Sequence, residues 1–276
     1  MVLCTLAGMN QAAETTYLSL GSNLGNRAYY LQKAIFMLGE RAGSVRNISP
    51  VYQTPAWGFE GGDFLNACIR LETSLEPEAL LEQLLRIERE LGRERSLGKG
   101  YRSRTLDLDL LYYGTEVIQS PTLTIPHPHL HLRRFVLKPL TDIAPQFYHP
   151  TLEMDHRNLL QQCRDTTAVQ KTSLELFPGR QAFFSGLGFV AIEGNIGAGK
   201  TTLARKMAQD LNAKLILERF EDNPFLPKFY QDQARYAFPL ELSFLADRYQ
   251  QFIEDTRQLD LFKNFVVSDY DIYKSL

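Results

Sequence analysis

The sequence predicts two domains: a first half in which strands alternate with helices, and a second half that opens a parallel α/β sheet. In the first half, short runs with apolar residues at every second position alternate with stretches whose apolar residues recur at helical spacing. In the second half, an apolar strand runs into a Gly-rich loop and then a helix. Between them, Arg164–Gly186 shows no periodicity and contains Pro178-Gly179 and Ser185-Gly186, which reads as a linker. A chain of 276 residues accommodates two ordinary domains.

The elements follow in order. Thr15–Leu20 is a short strand that exits into the turn-rich Gly21-Ser22-Asn23-Leu24-Gly25. Leu31, Ala34, Ile35 and Leu38 then share one helical face. Over Phe64–Glu72 the side chains of Leu65, Ala67, Ile69 and Leu71 point one way, and those of Asn66, Cys68, Arg70 and Glu72 the other. Glu76–Leu91 carries a stripe of Leu80, Leu84, Ile87 and Leu91, with Pro77 in the first turn and Gly92 as a stop. Thr105–Tyr112 and Phe135–Leu140 read as further strands, and Leu174–Phe177 as a short strand within the linker. Past the linker come a strand at Phe189–Glu193, a helix at Thr201–Leu211, and strands at Lys214–Leu217 and Phe265–Ser268. Phe238–Phe252 is helical in pattern.

Charge and composition exclude several functions. Thirty Lys and Arg against 32 Asp and Glu give a net charge of −2, which argues against bulk binding to nucleic acid or an anionic membrane. No uncharged apolar run reaches the ~18–20 residues of a membrane span. Met1–Glu14 lacks the basic start of a secretory signal. Cys4, Cys68 and Cys163 are far apart and odd in number, which fits a reducing, cytoplasmic setting rather than a disulfide framework.

The segment Arg104-Thr105-Leu106-Asp107-Leu108-Asp109 is the most informative of the first half. On a strand, Asp107 and Asp109 share a face. Two carboxylates so close repel unless a cation or solvent relieves them, and hard oxygens suit Mg²⁺ bridging to phosphates. The pair alone reads equally well as the exposed face of a strand. Arg86, Arg89, Arg93, Arg95, Lys99, Arg102 and Arg104 crowd the preceding stretch, as phosphate clamping requires. Interleaved Glu88, Glu90 and Glu94 leave a solvated helix face as the reading for Arg86 and Arg89. His127, His129 and His131 alternate, and fit substrate contact or plain surface better than zinc, since no cysteine joins them.

Residues 15–163 resemble the 6-hydroxymethyl-7,8-dihydropterin pyrophosphokinase family. Ordered motifs carry the resemblance: Leu20-Gly21-Ser22-Asn23-Leu24-Gly25, Tyr52-Gln53-Thr54-Pro55, Phe64-Leu65-Asn66-Ala67, the Arg104–Asp109 segment and Thr124-Ile125-Pro126-His127. The resemblance implies an α+β, ferredoxin-like domain behind an N-terminal extension, 1–14. It implies pyrophosphoryl transfer from ATP to a dihydropterin, with release of AMP. Asp107 and Asp109 would hold two Mg²⁺ ions on the ATP phosphates, and Arg93 and Arg104 would meet the phosphates and the transition state. Glu88, Arg95, His127 and Arg133 would sit against ATP. Phe64 and Phe135 would sandwich the pterin, with Asn66, Thr54 and Pro55 at its edge.

In the second half, Gly194-Asn195-Ile196-Gly197-Ala198-Gly199-Lys200-Thr201 fits the phosphate-binding loop pattern, between a strand and a helix. Its glycines let backbone N–H groups wrap a phosphate, with Lys200 on the outer phosphates and Thr201 on Mg²⁺. This loop, Thr202-Leu203 and Leu217-Glu218-Arg219-Phe220-Glu221-Asp222-Asn223-Pro224 together resemble deoxynucleoside kinases. The resemblance implies an α/β P-loop kinase fold over 188–276, joined through a linker at 164–187. Gly194, Gly197, Gly199, Lys200, Thr201 and Thr202 would hold ATP. Glu218 would accept the proton of a nucleoside 5′-hydroxyl, and Glu241 and Arg248 would face the nucleoside. Asp269 aligns with the acidic residue of the family's Glu/Asp-Arg-Ser motif, with Tyr270 in place of the Arg. The family's lid and later strands would lie past Leu276, so the expectation is a truncated kinase part, weak or inactive. The alternative is a nucleotide-binding or dimerising module that forms a homodimer through this half.

Overall fold

Apolar alternation in the first half is satisfied by one antiparallel sheet covered on both faces. The computed structural model describes residues 13–56, 59–93, 102–195, 197–218, 223–257 and 263–271. The chain divides into two units, Met1–Gly179 and Arg180–Leu276.

The first unit runs β1 (Glu14–Ser22), α1 (Arg27–Arg41), β2 (Ser44–Ile48), β3 (Tyr52–Thr54), β4 (Phe64–Thr73), α2 (Pro77–Glu90), β5 (Asp107–Tyr113), β6 (Ile118–Gln119), β7 (Thr124–Ile125), α3 (Arg134–Ile143), α4 (His156–Gln162) and β8 (Gln170–Lys171). Strand order is β5-β1-β4-β3-β8, with β2 also on β4, while β6 and β7 form a separate ribbon. The register sets Asp107 beside Gly21 and Gly21 beside Asn66.

Asn26 caps α1 by accepting the Tyr29 N–H, and α1 buries the expected Leu31, Ala34, Ile35 and Leu38. Pro77 opens α2, whose buried face includes Leu80, Leu84 and Ile87. Both helices pack with Leu18, Leu20, Leu65, Ile69 and Leu108 on one side of the sheet. On the other side, Tyr17, Cys68 and Tyr112 pack with Val136, Leu137 and Leu140 of α3 and Leu159 of α4. Cys68 and Asn66, on the face of β4 opposite Leu65 and Ile69, are therefore buried as well.

Phe135–Leu140 is not a strand but most of α3. An apolar run this short fits either period, and a proline at position 139 lies inside the helix that forms. Burial of Val136, Leu137 and Leu140 on one face, at ~1.5–3 kcal/mol each, outweighs the missing proline N–H. The expected linker is also different. The division falls between Gly179 and Arg180, and Leu174 and Leu176 pack against the first unit's core. The short strand is at Gln170–Lys171 rather than Leu174–Phe177, because pairing with β3 supplies its backbone bonds there.

The second unit runs α5 (Arg180–Ser185), β9 (Phe189–Ala191), α6 (Lys200–Asp210), β10 (Lys214–Ile216), α7 (Leu226–Gln231), α8 (Gln233–Arg257) and β11 (Val266–Ser268). Its strands are parallel in the order β10-β11-β9. Ala204 and Ala208 of α6 pack with Leu211, Ala213, Phe265 and Val267. Among the described residues, no helix is long and apolar enough to cross a membrane.

Candidate active sites

A cavity of about 180 Å³ opens over one end of the first sheet. Its floor is the row Asp107–Gly21–Asn66, where the absence of a side chain on Gly21 matters. A Cβ there would come within 3.2 Å of Asn66 Oδ1 and 3.8 Å of Asp107 Cβ. Thr54, Pro55, Phe64, Asn66, Arg93, Arg104, Asp107, Asp109, His127, Arg133 and Phe135 all line the cavity. Sequence reasoning singled out each of these. It missed Ser19, Gly21 and Phe59, which line it too.

The cavity has a charged side and an apolar side. Asp107 is ion-paired with Arg93 and, at 2.9 Å, with Arg104. Arg133 approaches Asp109 at 3.7 Å. Burial and the neighbouring Asp107 carboxylate push the Asp109 carboxyl well above the usual carboxylate range, with Arg133 opposing them. Burial, then Arg133 and His129, hold His127 down at about 4, so its ring is neutral at pH 7. Its Nδ1 accepts the His129 N–H. On the apolar side, Phe59 meets Phe64 edge-on with ring centroids 6.2 Å apart. Arg104 lies over the Phe64 ring and Arg133 over the Phe135 ring, each at 5.8 Å. Asn66 donates to Thr54 Oγ1 at 2.9 Å, which ties β4 to the end of β3.

Glu88 does not face the cavity. It is 1% exposed, pairs with Arg93 and accepts the Leu108 N–H at 2.8 Å. Its carboxylate holds Arg93 and the backbone between the two aspartates, whereas the resemblance placed it against ATP. Arg95 lies outside the described residues. Asn23 was a motif residue without a role. Its Oδ1 accepts the Arg104 N–H at 2.7 Å, and its own N–H donates to Arg104 O at 3.1 Å, so it fixes the arginine's backbone.

In the second unit, Gly197 and Gly199 have φ of 78° and 83°, a conformation that favours glycine, and α6 starts at Lys200. Lys200 Nζ donates to the carbonyls of Gly194 and Asn195 at 2.8 and 3.1 Å. Thr201 and Thr202 are exposed at the start of α6. Thr201 Oγ1 donates to Asp269 Oδ2 at 2.5 Å, and Asp269 Oδ1 accepts the Glu218 N–H at 2.8 Å. Asp269 therefore joins the loop to the strand end that carries Glu218. Glu218 is ion-paired with Arg248, whose Nε lies 2.7 Å from Oε1. Glu241 is exposed on α8.

A carboxylate pair beside three arginines faces the rings of Phe59, Phe64 and Phe135 across one cavity, a lining that can hold phosphates beside a flat ring. The comparisons with known proteins make this specific. Residues 17–145 match the family described as 7,8-dihydro-6-hydroxymethylpterin-pyrophosphokinase (HPPK). The 2-amino-4-hydroxy-6-hydroxymethyldihydropteridine pyrophosphokinase of Aquifex aeolicus is 44% identical over 137 residues, which are 49% of this chain and 84% of that protein. The enzyme of that name from Porphyromonas gingivalis is 45% identical over 137 residues, covering 49% of this chain and 92% of its own. The bifunctional protein FolKE of Lactococcus lactis is 39% identical over 145 residues, 51% of this chain and 41% of that one. A solved Plasmodium falciparum HPPK-DHPS chain aligns with a TM-score of 0.48 at 14% identity, covering 76% of this chain and 58% of that chain. The chain belongs to the HPPK family, and its residues 190–276 match the family described as deoxynucleoside kinase.

Proposed function

We propose that the first unit transfers the terminal pyrophosphoryl group of ATP to the hydroxymethyl oxygen of 6-hydroxymethyl-7,8-dihydropterin. The hydroxyl oxygen bonds to the β-phosphorus and gives up its proton to solvent, the bond from that phosphorus to the α–β bridging oxygen breaks, and AMP leaves with the electron pair. The observation that carries this reading is the Asp107–Asp109 pair, ringed by Arg93, Arg104 and Arg133 and facing the Phe64–Phe135 slot. The strand order and the two helices on one face support a ferredoxin-like domain.

The pair fits Mg²⁺: its oxygens are hard, and burial together with the neighbouring Asp107 carboxylate disfavours a second bare charge at Asp109, which a cation would relieve. Two Mg²⁺ ions carried by Asp107 and Asp109 would neutralise charge on the transferred phosphates. Arg93 and Arg104 orient the phosphates and meet the charge that develops on the bridging oxygen. His127 and Arg133 hold the nucleotide's phosphate chain. Phe64 and Phe135 stack on the pterin while Asn66, Thr54 and Pro55 read its edge. The test is AMP release from Mg-ATP with the pterin. The wild-type chain should turn over, and Asp107→Ala and Asp109→Ala should each lose activity about a thousand-fold. A full rate in either variant would remove the metal assignment.

For the second unit we infer a P-loop kinase part that binds a nucleoside triphosphate at Gly194–Thr201, with Glu218 as the base toward a 5′-hydroxyl. The strand–loop–helix and the network through Asp269 support it. ADP formed with thymidine, deoxyadenosine or deoxyguanosine would establish turnover there. ATP binding that Lys200→Ala abolishes, without ADP, would leave a nucleotide-binding module. Exposed Phe238, Leu242 and Tyr249 on α8 favour a homodimer through this half. Leu242→Asp should then halve the sedimenting mass.

A further inference from the structure

We infer that the stretch from Asp165 to Thr172, beyond the family match at 17–145, is a positioning strap that fixes two walls of the cavity, the Phe135 side of the ring slot and the Thr54–Pro55 wall at the ring's edge. This rests on the pterin reading above.

The strap meets one wall at the start of α3. Asp165 Oδ2 accepts the Arg134 N–H at 2.9 Å. Arg134 lies between Arg133 and Phe135, which both line the cavity. A carboxylate at this position satisfies a first-turn N–H and complements the helix dipole. Asp165 is itself held, because its Oδ1 accepts the N–H and hydroxyl of Thr167 at 2.9 and 2.5 Å. The strap meets the other wall through β3. Gln170 pairs with Gln53 and Lys171 with Tyr52. Thr172 then gives its N–H and its hydroxyl to Val51 O at 2.9 and 3.0 Å. β3 ends at Thr54, and Thr54 and the following Pro55 both line the cavity.

The strap is anchored beyond both walls. Leu174 and Leu176 pack on the core, and the Gln32 amide both donates to and accepts from the Phe177 backbone at 2.9 Å. A further tie, Tyr52 Oη to Asp142 Oδ2 at 2.5 Å, joins β3 to the last turn of α3, away from the slot. Asp165 secures the first turn, where Phe135 and Arg133 emerge. Asp165 and Thr172 are thus positioning residues: they touch no substrate but fix the elements that do.

The test uses the full chain with Asp165→Ala and Asp165→Asn, the latter retaining a carbonyl acceptor. The KM for the pterin and kcat are measured at saturating Mg-ATP, with backbone hydrogen exchange over 52–55 and 134–137. Loss of a charge-assisted bond should raise the pterin KM roughly tenfold in Asp165→Ala, with kcat within about twofold. Asp165→Asn should restore most of it. Exchange should quicken at those two walls in Asp165→Ala and stay unchanged in β1 and α2. Unchanged KM and exchange, a fall in kcat alone, or exchange raised throughout the unit would overturn the strap. A wild-type chain that forms no AMP would sink the pterin reading instead. Exchange alone then decides the strap, confined to the two walls for it and absent or general against it.

Discussion

Glu88 shows how a buried residue outside a cavity's lining can set the geometry of the residues within it. Its side chain sits under the floor, pairing with Arg93 and receiving the Leu108 N–H. Glu88→Gln keeps an oxygen for that N–H and leaves Arg93 paired with Asp107. We expect about tenfold lower kcat with nearly unchanged melting, because Arg93 loses one of its two carboxylate restraints. Glu88→Ala leaves a buried N–H without its acceptor and should cost about 2 kcal/mol in urea unfolding. If Glu88→Gln instead kept kcat and lost only ATP affinity, Glu88 would be a direct nucleotide ligand, as its sequence position suggested. At this scale the candidate site was largely legible. Asp107, Asp109, Arg93, Arg104, Asn66 and His127 are charged or polar residues in dense, ordered motifs, and they converge on one cavity. Gly21, Ser19 and Asn23 were not legible as site residues. Their part depends on which strands are neighbours and in what register, and no local pattern encodes that.

Elements were legible where their period was long and unbroken, as in α1 and α2, and illegible where a short segment is made by its partner. α3 was misread from an apolar run with a proline in it, and β8 exists because β3 offers it an edge. His156, at the start of α4, is the joint that holds α3, α4 and β5 together. Its Nδ1 lies 2.6 Å from Ala144 O and its Nε2 lies 3.2 Å from Tyr112 Oη. Because Ala144 O can only accept, Nδ1 carries the proton of a neutral ring. Burial pushes this histidine from the usual 6.5 down to about 4. Between those pH values the unfolded chain holds a proton that the folded one refuses. The stability tied to His156 is therefore complete above about pH 6.5. It falls as the pH drops and is gone below about 4, a loss on the order of 3 kcal/mol. His156→Asn should be less stable at pH 7 yet lose less between pH 6.5 and 4, read by urea unfolding of both proteins across that range. Parallel pH curves would show that another group carries the acid sensitivity.

Across the whole molecule, two cores of unequal quality follow from the two sequence patterns. The first unit buries long aliphatic side chains on both faces of its sheet. The second unit's cluster of described residues is small and alanine-rich: Ala204, Ala208, Leu211, Ala213, Phe265 and Val267. Alanine contributes little apolar area, and a shorter unit buries a smaller share of its surface. Each core should therefore melt on its own account, the second at lower temperature. Calorimetry of the intact chain should resolve two transitions. Val267→Ala, which opens a cavity beneath a fully buried strand residue, should cost about 2 kcal/mol and lower only the first of them by several degrees. Leu84→Ala, in the fully buried face of α2, should cost about 3 kcal/mol and lower only the second. Pterin with Mg-ATP should raise the upper transition, since a ligand stabilises only the folded state it binds. A single transition that both substitutions shift would mean that the units unfold as one. The sequence pattern would then have marked a division of structure without a division of stability.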